Sequence, residues 1–324
     1  MGLCRAMWWV PLVVVTVLAS AAAAGEQLTP GRYDGNCPRL QSIVRRTMKQ
    51  AVNKEQRMGA SILRLFFHDC FVNGCDASVL LDDDPGRNFK GEKTAFPNVN
   101  SLRGYEVIDA VKALVEAACP GIVSCADILA LAARDAVKLL GGPSWKVALG
   151  RHDARTASQD AVTTFLPSPG SDVATLLSKF GTKGLDARDL TALSGAHTVG
   201  QARCVNFRDH IYDDPTADAA FAAGLRGVCP RAGGDGNLAP LEAQKPDTFD
   251  NGYFSDLLAR RVLLKSDQAL FGGGGGATDA IVRAYAANKT VFFNDFVNAM
   301  VKMGGLRPSA ETGVEVRRNC RRVN

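Results

Sequence analysis

The sequence predicts an all-α fold with long loops, for three reasons. Apolar residues recur at helical spacing through most of the 324-residue chain. Alternating apolar and polar runs are scarce and short, so we expect little or no β structure, at most one small hairpin. Eight of the nine cysteines follow residue 25, which is typical of a secreted protein held together by disulfides.

Residues 1–25 have the features of a secretory signal peptide. Arg5 provides a positive start, residues 7–18 are apolar, and small residues lead to Gly25. We expect cleavage near Gly25, which leaves one domain over residues 26–324 of a secreted, extracellular protein. No later stretch reaches about 20 uninterrupted apolar residues, so we predict no membrane-spanning helix.

Local signals predict where individual helices begin. Pro38 precedes a first helix with one apolar face. Ser124 with Asp127 forms the pattern of a capping box, Asp186 is expected to cap a helix running to about Ala196, and Asn294 to cap another. The apolar face of the first helix comprises Leu40, Ile43, Val44, Thr47, Met48 and Val52.

Charge and low-complexity patterns exclude several functions. The net charge is +5, but Lys and Arg are scattered and not interleaved with aromatic residues, so nucleic-acid binding is not expected. At most, a mildly basic secreted protein adsorbs to anionic wall polysaccharide. The glycine run at 272–276 lacks a following Gly-Lys-Ser/Thr and is interpreted as a surface loop. Asn288 begins an Asn-Lys-Thr sequon and is the predicted glycosylation site.

Candidate chemistry centres on the segment RLFFHDCFVNGCDAS, residues 64–78. Arg64 and His68 are four residues apart on an apolar helix and therefore point the same way. Cleavage of a peroxide needs a base that moves a proton and a cation that stabilises the departing charge, and these two residues provide both. Phe67 would keep the space apolar. Alone, an Arg and a His at this spacing more often belong to an ordinary helix.

The residues that follow His68 suggest a cation site. Asp69, Asp76 and Ser78 offer hard oxygens, backbone carbonyls lie between them, and the Cys70-x4-Cys75 ring holds the loop. Hard oxygens are the ligands that calcium prefers, although the spacing is not that of an EF-hand. A secreted hydrolase built on His68 and Asp69 is a weaker interpretation, because neither a nucleophile elbow nor a metal-protease motif is present.

Together with DLTALSGAHTVG at residues 189–200, this segment resembles the secretory (class III) plant peroxidases over essentially the whole mature chain. The resemblance implies a two-lobed fold with haem between a distal and a proximal helix. It also implies reduction of hydrogen peroxide coupled to one-electron oxidation of phenolic or aromatic donors. The implied roles are in wall lignin or phenolic metabolism and in oxidative stress. The implied cofactors are one haem b and two calcium ions, in a protein expected to be monomeric.

The resemblance also assigns site residues. His197 would ligate the iron, Asp267 would accept a hydrogen bond from it, and Asn98 would orient His68. The reducing substrate would approach near Pro167. The implied propionate contacts are Arg57, Ser61 and Ser101. The implied ligands are Asp69, Val72, Gly74, Asp76 and Ser78 for calcium 1, and Thr198, Glu242, Lys245, Thr248 and Asp250 for calcium 2.

Two further expectations concern the pairing of the cysteines and a residue, Lys245, that differs from the family pattern. Eight cysteines allow 105 pairings, and the sequence alone does not choose among them. The resemblance implies Cys37–Cys119, Cys70–Cys75, Cys125–Cys320 and Cys204–Cys229. Lys245 stands where the family has Thr or Ser, so it can offer calcium only its backbone carbonyl, and we expect a weaker second site. The non-enzyme alternative is a catalytically silent calcium-binding wall protein on the same fold.

Overall fold

The predicted all-α class is confirmed by the computed structural model, which describes residues 27–308 and 314–324. The predicted signal segment, residues 1–25, lies outside this range. The α-helices in the described residues are α1 (Leu40–Lys54), α2 (Met58–Asn73), α3 (Tyr105–Ala118), α4 (Cys125–Leu139), α5 (Gln159–Phe165), α6 (Val173–Gly181), α7 (Ala187–Ser194), α8 (Arg208–Asp213), α9 (Ala219–Leu225), α10 (Gly252–Ala259), α11 (Lys265–Gln268), α12 (Asp279–Ala287) and α13 (Lys289–Gly304). None of them is both long and apolar enough to cross a membrane.

The small amount of β structure differs from the expected hairpin. Strand β1 (Asp153–Ala154) pairs antiparallel with β4 (Val314–Glu315), and β2 (Gln201–Arg203) pairs antiparallel with β3 (Leu238–Pro240). Each strand therefore has a partner far away in the sequence. These ladders join loops between helices, and an alternating pattern of two or three residues is too short to be read in advance.

The core forms around α4, whose residues 125–137 are all buried. Helix α1 buries the face that its periodicity predicts, from Leu40 to Val52. Helix α2 packs on α4, and α7 packs on α13. The helices that carry the two motif segments thus have different main neighbours, although both contact α13.

One predicted helix start is wrong, and one predicted capping box is only half formed. Asn294 does not cap a helix, because α13 already begins at Lys289 and is capped by Asn288, whose side chain accepts hydrogen bonds from the amides of Thr290 and Val291. The box predicted at Ser124 is half formed. Its hydroxyl accepts the Asp127 amide at 3.1 Å, but the Asp127 carboxylate binds Arg151 at 2.8 Å. Leaving the buried Arg151 guanidinium unpaired would destabilise the fold more than the loss of a second capping hydrogen bond does.

The helix capped by Asp186 ends earlier than expected. It forms a full capping box with Asp189, but α7 stops at Ser194 and tightens into a 3-10 turn over Gly195–Thr198, which carries His197. A β-carbon at Gly195 would lie 2.5 Å from the Phe292 ring, so only glycine allows this turn to pack on α13.

Four disulfides tie the helices together, and they join the pairs that the family resemblance implies. Cys125–Cys320 links the start of α4 to the C-terminal segment. The bonded pairs are Cys37–Cys119, Cys70–Cys75, Cys125–Cys320 and Cys204–Cys229.

Candidate active site

One face of α2 borders open space. Leu65 and Phe66 are buried, whereas Arg57, Ser61, Arg64 and Phe67 on the other side are partly accessible, each three or four residues from the next. That spacing places the accessible residues on one stripe of the helix. This stripe is the accessible face of α2.

His68 continues this stripe and is held by Asn98. Its Nδ1 lies 2.7 Å from the Asn98 side-chain oxygen, and the Asn98 amide nitrogen donates to the Glu92 carbonyl at 2.9 Å. Because the Asn98 oxygen only accepts, Nδ1 of His68 must carry the proton, and Nε2 keeps the lone pair of a base. Burial, and then the charge of Arg64, lower the pKa of His68 well below its usual value, so the ring is neutral.

The loop that carries Asn98 also holds Arg64. The guanidinium donates to the Ser101 carbonyl at 3.0 Å and to the Ser101 hydroxyl at 3.3 Å. Burial lowers the pKa of Arg64 to about 10, so it stays charged at physiological pH. Residues 97–101 therefore position both the base and the cation. Ser101, expected at a propionate, is already a partner of Arg64.

His197 lies on the other side of the site, backed by Asp267. Its Nδ1 is 2.8 Å from Asp267 Oδ1, and its side chain is 36% exposed whereas that of Asp267 is 4% exposed. Nδ1 is thus engaged and Nε2 remains available to a ligand. Burial alone would lower the pKa of His197, but the charge and hydrogen bond of Asp267 outweigh burial and raise it. A carboxylate behind an imidazole is the arrangement that makes a stronger metal ligand.

The segment that follows His197 contacts α2. A β-carbon at Gly200 would lie 3.1 Å from the Ala60 side chain, so the segment after His197 touches α2 there. Gly200 has a φ of +101°, which only glycine adopts readily. Ala60 lies on the same helix as Arg64 and His68. The helix that carries the base and the cation is therefore in contact with the segment that follows the candidate iron ligand.

Tyr253 belongs to the site, although no sequence motif predicts it. Its hydroxyl donates to Asp267 Oδ1 at 2.9 Å. Its ring meets that of His197 edge to face, with the centroids 6.1 Å apart. Tyr253 lies 56 residues after His197, and no local pattern distinguishes it from a core aromatic residue.

The remaining predicted cleft residues have mixed surroundings. Pro167 is half-buried, and Pro169 in the same loop accepts the amide of Ser266 at 2.9 Å, next to Asp267. The Ser61 hydroxyl donates to the Arg57 carbonyl in its own helix at 3.2 Å. The loop that contains Pro167 and Pro169 is therefore hydrogen-bonded to the segment that carries Asp267.

A cluster of buried oxygen-bearing side chains, three acids and one serine, adjoins α2 beyond His68. Asp69, Asp76, Ser78 and Glu92 are each at most 1% exposed. Both oxygens of Asp69 and one oxygen of each of the others have no hydrogen-bond partner among the described residues. Burial, and then the charge of Asp76, raise the pKa of Asp69 well above its usual value. Unpaired buried acceptors of this kind fit a cation.

Val72 and Gly74 are the predicted calcium 1 residues that have no side-chain oxygen, and the Val72 carbonyl is already engaged. The Val72 carbonyl accepts a hydrogen bond from Lys183 at 2.7 Å. Gly74 ends α2 with a φ of +97°, and a β-carbon there would lie 2.5 Å from the Arg307 backbone. Within the described residues, no three Asp, Glu, His or Cys side chains could hold a metal by themselves, so hydroxyl and carbonyl oxygens would have to contribute.

The predicted calcium 2 residues converge on Asp250. Its carboxylate lies 3.4 Å from the Thr198 hydroxyl and 3.2 Å from the Lys245 ammonium. Glu242 accepts the amide of Lys245 with one oxygen, while the other is buried without a partner in the described chain. The Lys245 carbonyl accepts the amide of Thr248 at 3.0 Å. A cation at Asp250 thus has a lysine as its neighbour.

Asp256 is a second residue that the sequence analysis missed. Its side chain is 6% exposed, and one oxygen has no partner in the part of the chain described. Burial, and then the charge of Glu242, raise its pKa to about 6. Asp256 lies on α10, six residues after Asp250, and no motif in the sequence marks it. The other histidines are structural or superficial: His210 is paired with Asp214 at 3.0 Å, and His152 is exposed.

Comparisons with known proteins point in one direction. The Peroxidase family model matches residues 44–288. Peroxidase 70 of Zea mays is 54% identical over 97% of both chains, and Peroxidase 4 of Vitis vinifera is 51% identical over 97% of both. Peroxidase 68 of Arabidopsis thaliana is 52% identical over 98% of this chain and 96% of its own length. The matched range includes both segment 64–78 and segment 189–200.

Proposed function

The chain belongs to the class III plant peroxidases, and on that premise we propose how its own residues carry out the reaction. It is a haem peroxidase, which reduces hydrogen peroxide and oxidises a reducing substrate. The observation that carries the proposed roles is that both histidines are oriented by hydrogen bonds: Asn98 holds His68 as a neutral base at 2.7 Å, and Asp267 contacts Nδ1 of His197 at 2.8 Å.

The residues on the proximal side fit a haem. His197 would bind its iron through Nε2, with Asp267 strengthening the ligand, and Arg57 and Ser61 would meet its propionates in a site for one haem b. When bound, the haem supplies an iron that accepts peroxide and holds the oxidising equivalents passed to donors. The protein's task is to position that iron and to control the space around it.

On the distal side, the chain moves one proton and stabilises one charge. Nε2 of His68 would take a proton from hydrogen peroxide and return it to the oxygen that leaves as water. The Arg64 guanidinium stabilises the negative charge that develops there. Phe67 lies between them in sequence, and its ring keeps that side of the cleft apolar.

The donors are proposed to be phenols and related aromatics, which approach at the loop that contains Pro167. The family is generally secreted, and we propose that residues 1–25 direct this chain to the extracellular space or cell wall. We propose that the secreted protein is a monomer. There it would serve wall lignin or phenolic metabolism and the response to oxidative stress. Adsorption to anionic wall polysaccharide and glycosylation at Asn288 would accompany this location. The site residues of the active enzyme are all present, which does not favour the catalytically silent alternative.

The decisive experiment is spectroscopic and catalytic. Purified protein is expected to show a Soret absorption band and to oxidise guaiacol only when hydrogen peroxide is present. His197→Ala should lose the histidine-ligated spectrum and the activity together. A wild-type protein with neither a Soret band nor activity after haem reconstitution would refute the proposal.

We further propose two calcium ions of unequal affinity. Peroxidases of this family use haem and calcium in general. The buried, unpartnered oxygens of Asp69, Asp76 and Ser78 support a tight first site. At the second site, the ammonium of Lys245 already neutralises Asp250 at 3.2 Å and would be displaced or repelled by calcium.

Lys245→Thr is therefore expected to tighten the second calcium site alone, because the substitution removes the competing charge and adds a hydroxyl ligand. Calcium per protein is counted during chelator titration, and two unequal steps should become more nearly equal. Lys302→Thr is the matched control, since Lys302 is also an exposed lysine paired with a buried carboxylate, that of Asp189 at 2.8 Å. Equal release of both ions in the wild type, unchanged by Lys245→Thr, would contradict the prediction.

A further inference from the structure

We propose that Tyr253 is a positioning residue that sets the electron donation of His197 to the iron, acting through Asp267. The phenol donates to the same carboxylate oxygen, Asp267 Oδ1, that receives Nδ1–H of His197. The two contacts are 2.9 Å and 2.8 Å long, so the oxygen is shared between two donors of similar strength. The inference rests on the proposed role of His197 as the iron ligand.

The surroundings shield the shared Asp267 oxygen from water and hold the Tyr253 ring in place. Tyr253 is 0% exposed and Asp267 is 3% exposed, so water does not compete for either group. The Tyr253 ring is fixed between Phe254, whose centroid is 5.1 Å away, and His197, whose centroid is 6.1 Å away. Burial, and then the charge of Asp267, raise the pKa of Tyr253 well above its usual value, so the phenol remains protonated and donates.

The chemical consequence has a definite sign. A carboxylate that accepts only the imidazole N–H pulls that proton strongly and gives the ring imidazolate character, which stabilises oxidised iron. A second donor on the same oxygen withdraws electron density from it, as hydrogen bonds to a charged acceptor do. Tyr253 therefore moderates the donation, and the iron is easier to reduce than it would be with Asp267 alone.

The test replaces Tyr253 with Phe, which keeps the ring and removes the hydroxyl. The midpoint potential of the ferric–ferrous couple should move in the negative direction. We expect about a tenfold change in the equilibrium constant for reduction, which is about 59 mV for one electron. The iron–imidazole stretching band of the ferrous protein, measured by resonance Raman spectroscopy, should move to higher frequency.

Tyr285→Phe is a matched control. Tyr285 is likewise 0% exposed, it donates to a carboxylate, that of Asp295 at 2.8 Å, and it packs on the same Phe254 at 5.0 Å. Both substitutions should lower thermal stability by similar amounts, but only Tyr253→Phe should move the potential and the Raman band. A shift of equal size in both variants, or in neither, would show that Tyr253 has only a packing role.

A double-mutant cycle guards against an indirect effect. In an Asp267→Asn background, the further change Tyr253→Phe should leave the potential almost unchanged, because the shared carboxylate is gone. A full shift in that background overturns the proposal. The proposed function fails separately, if the wild-type ferrous protein shows no iron–imidazole band at all.

Discussion

His68→Ala is expected to slow the reaction of the resting enzyme with hydrogen peroxide by about 10²–10⁴-fold while haem remains bound, because the general base that relays the proton is lost. The wild-type ring is held in the basic tautomer by Asn98 at 2.7 Å, so the loss removes an oriented base. Stopped-flow mixing with peroxide measures the rate constant, and the Soret band reports that haem is retained.

Two further variants sharpen that test. Arg64→Leu should slow the same step less than His68→Ala, since it removes charge stabilisation and leaves the base in place. His152→Ala is the control, because His152 is exposed and belongs to none of the proposed sites. If His68→Ala reacts with peroxide as fast as the wild type, His68 has no part in the mechanism.

The second large effect is expected from removing the calcium ion that we propose at Asp69, beside His68. Asp69 directly follows the base, and its two oxygens have no partner within the described residues. Glu92 belongs to the same buried cluster, and its backbone carbonyl accepts a hydrogen bond from the Asn98 side chain at 2.9 Å. A ligand that binds only the folded state at about 1,000 times its dissociation constant stabilises that state by about 4 kcal/mol. Chelation should therefore lower the melting temperature and, by loosening His68, the peroxide rate.

The measurement combines calcium counting, thermal melting and stopped-flow kinetics on one sample. Asp69→Asn should reproduce the loss of the tight ion and the lower melting temperature. Asp82→Asn is the matched control, because Asp82 lies in the same stretch of chain but is exposed and paired with Lys93 and Arg321. Loss of the tight ion with no change in melting temperature or peroxide rate would contradict the expected coupling.

Interactions within one or two helical turns were readable from the sequence. The buried face of α1 follows from its apolar spacing, and Arg64 and His68 share a face because they are one turn apart. Asp186 and Asp189 form their capping box because each reaches the other's backbone locally. The start of α13 was misplaced because Asn288 and Asn294 are both good capping residues, and only packing chooses between them.

The sequence by itself therefore determined the helical class, the main motif and the type of chemistry. Tertiary structure alone decided which distant groups complete the site. Asn98 is hydrogen-bonded to His68, 30 residues away, and Asp267 to His197, 70 residues away. Tyr253 also donates to the Asp267 carboxylate, and no sequence motif marks it. The family resemblance supplied the first two partners but not the third. The physical reason is that helical periodicity is a local property, whereas a shared hydrogen-bond acceptor exists only after remote segments have packed together.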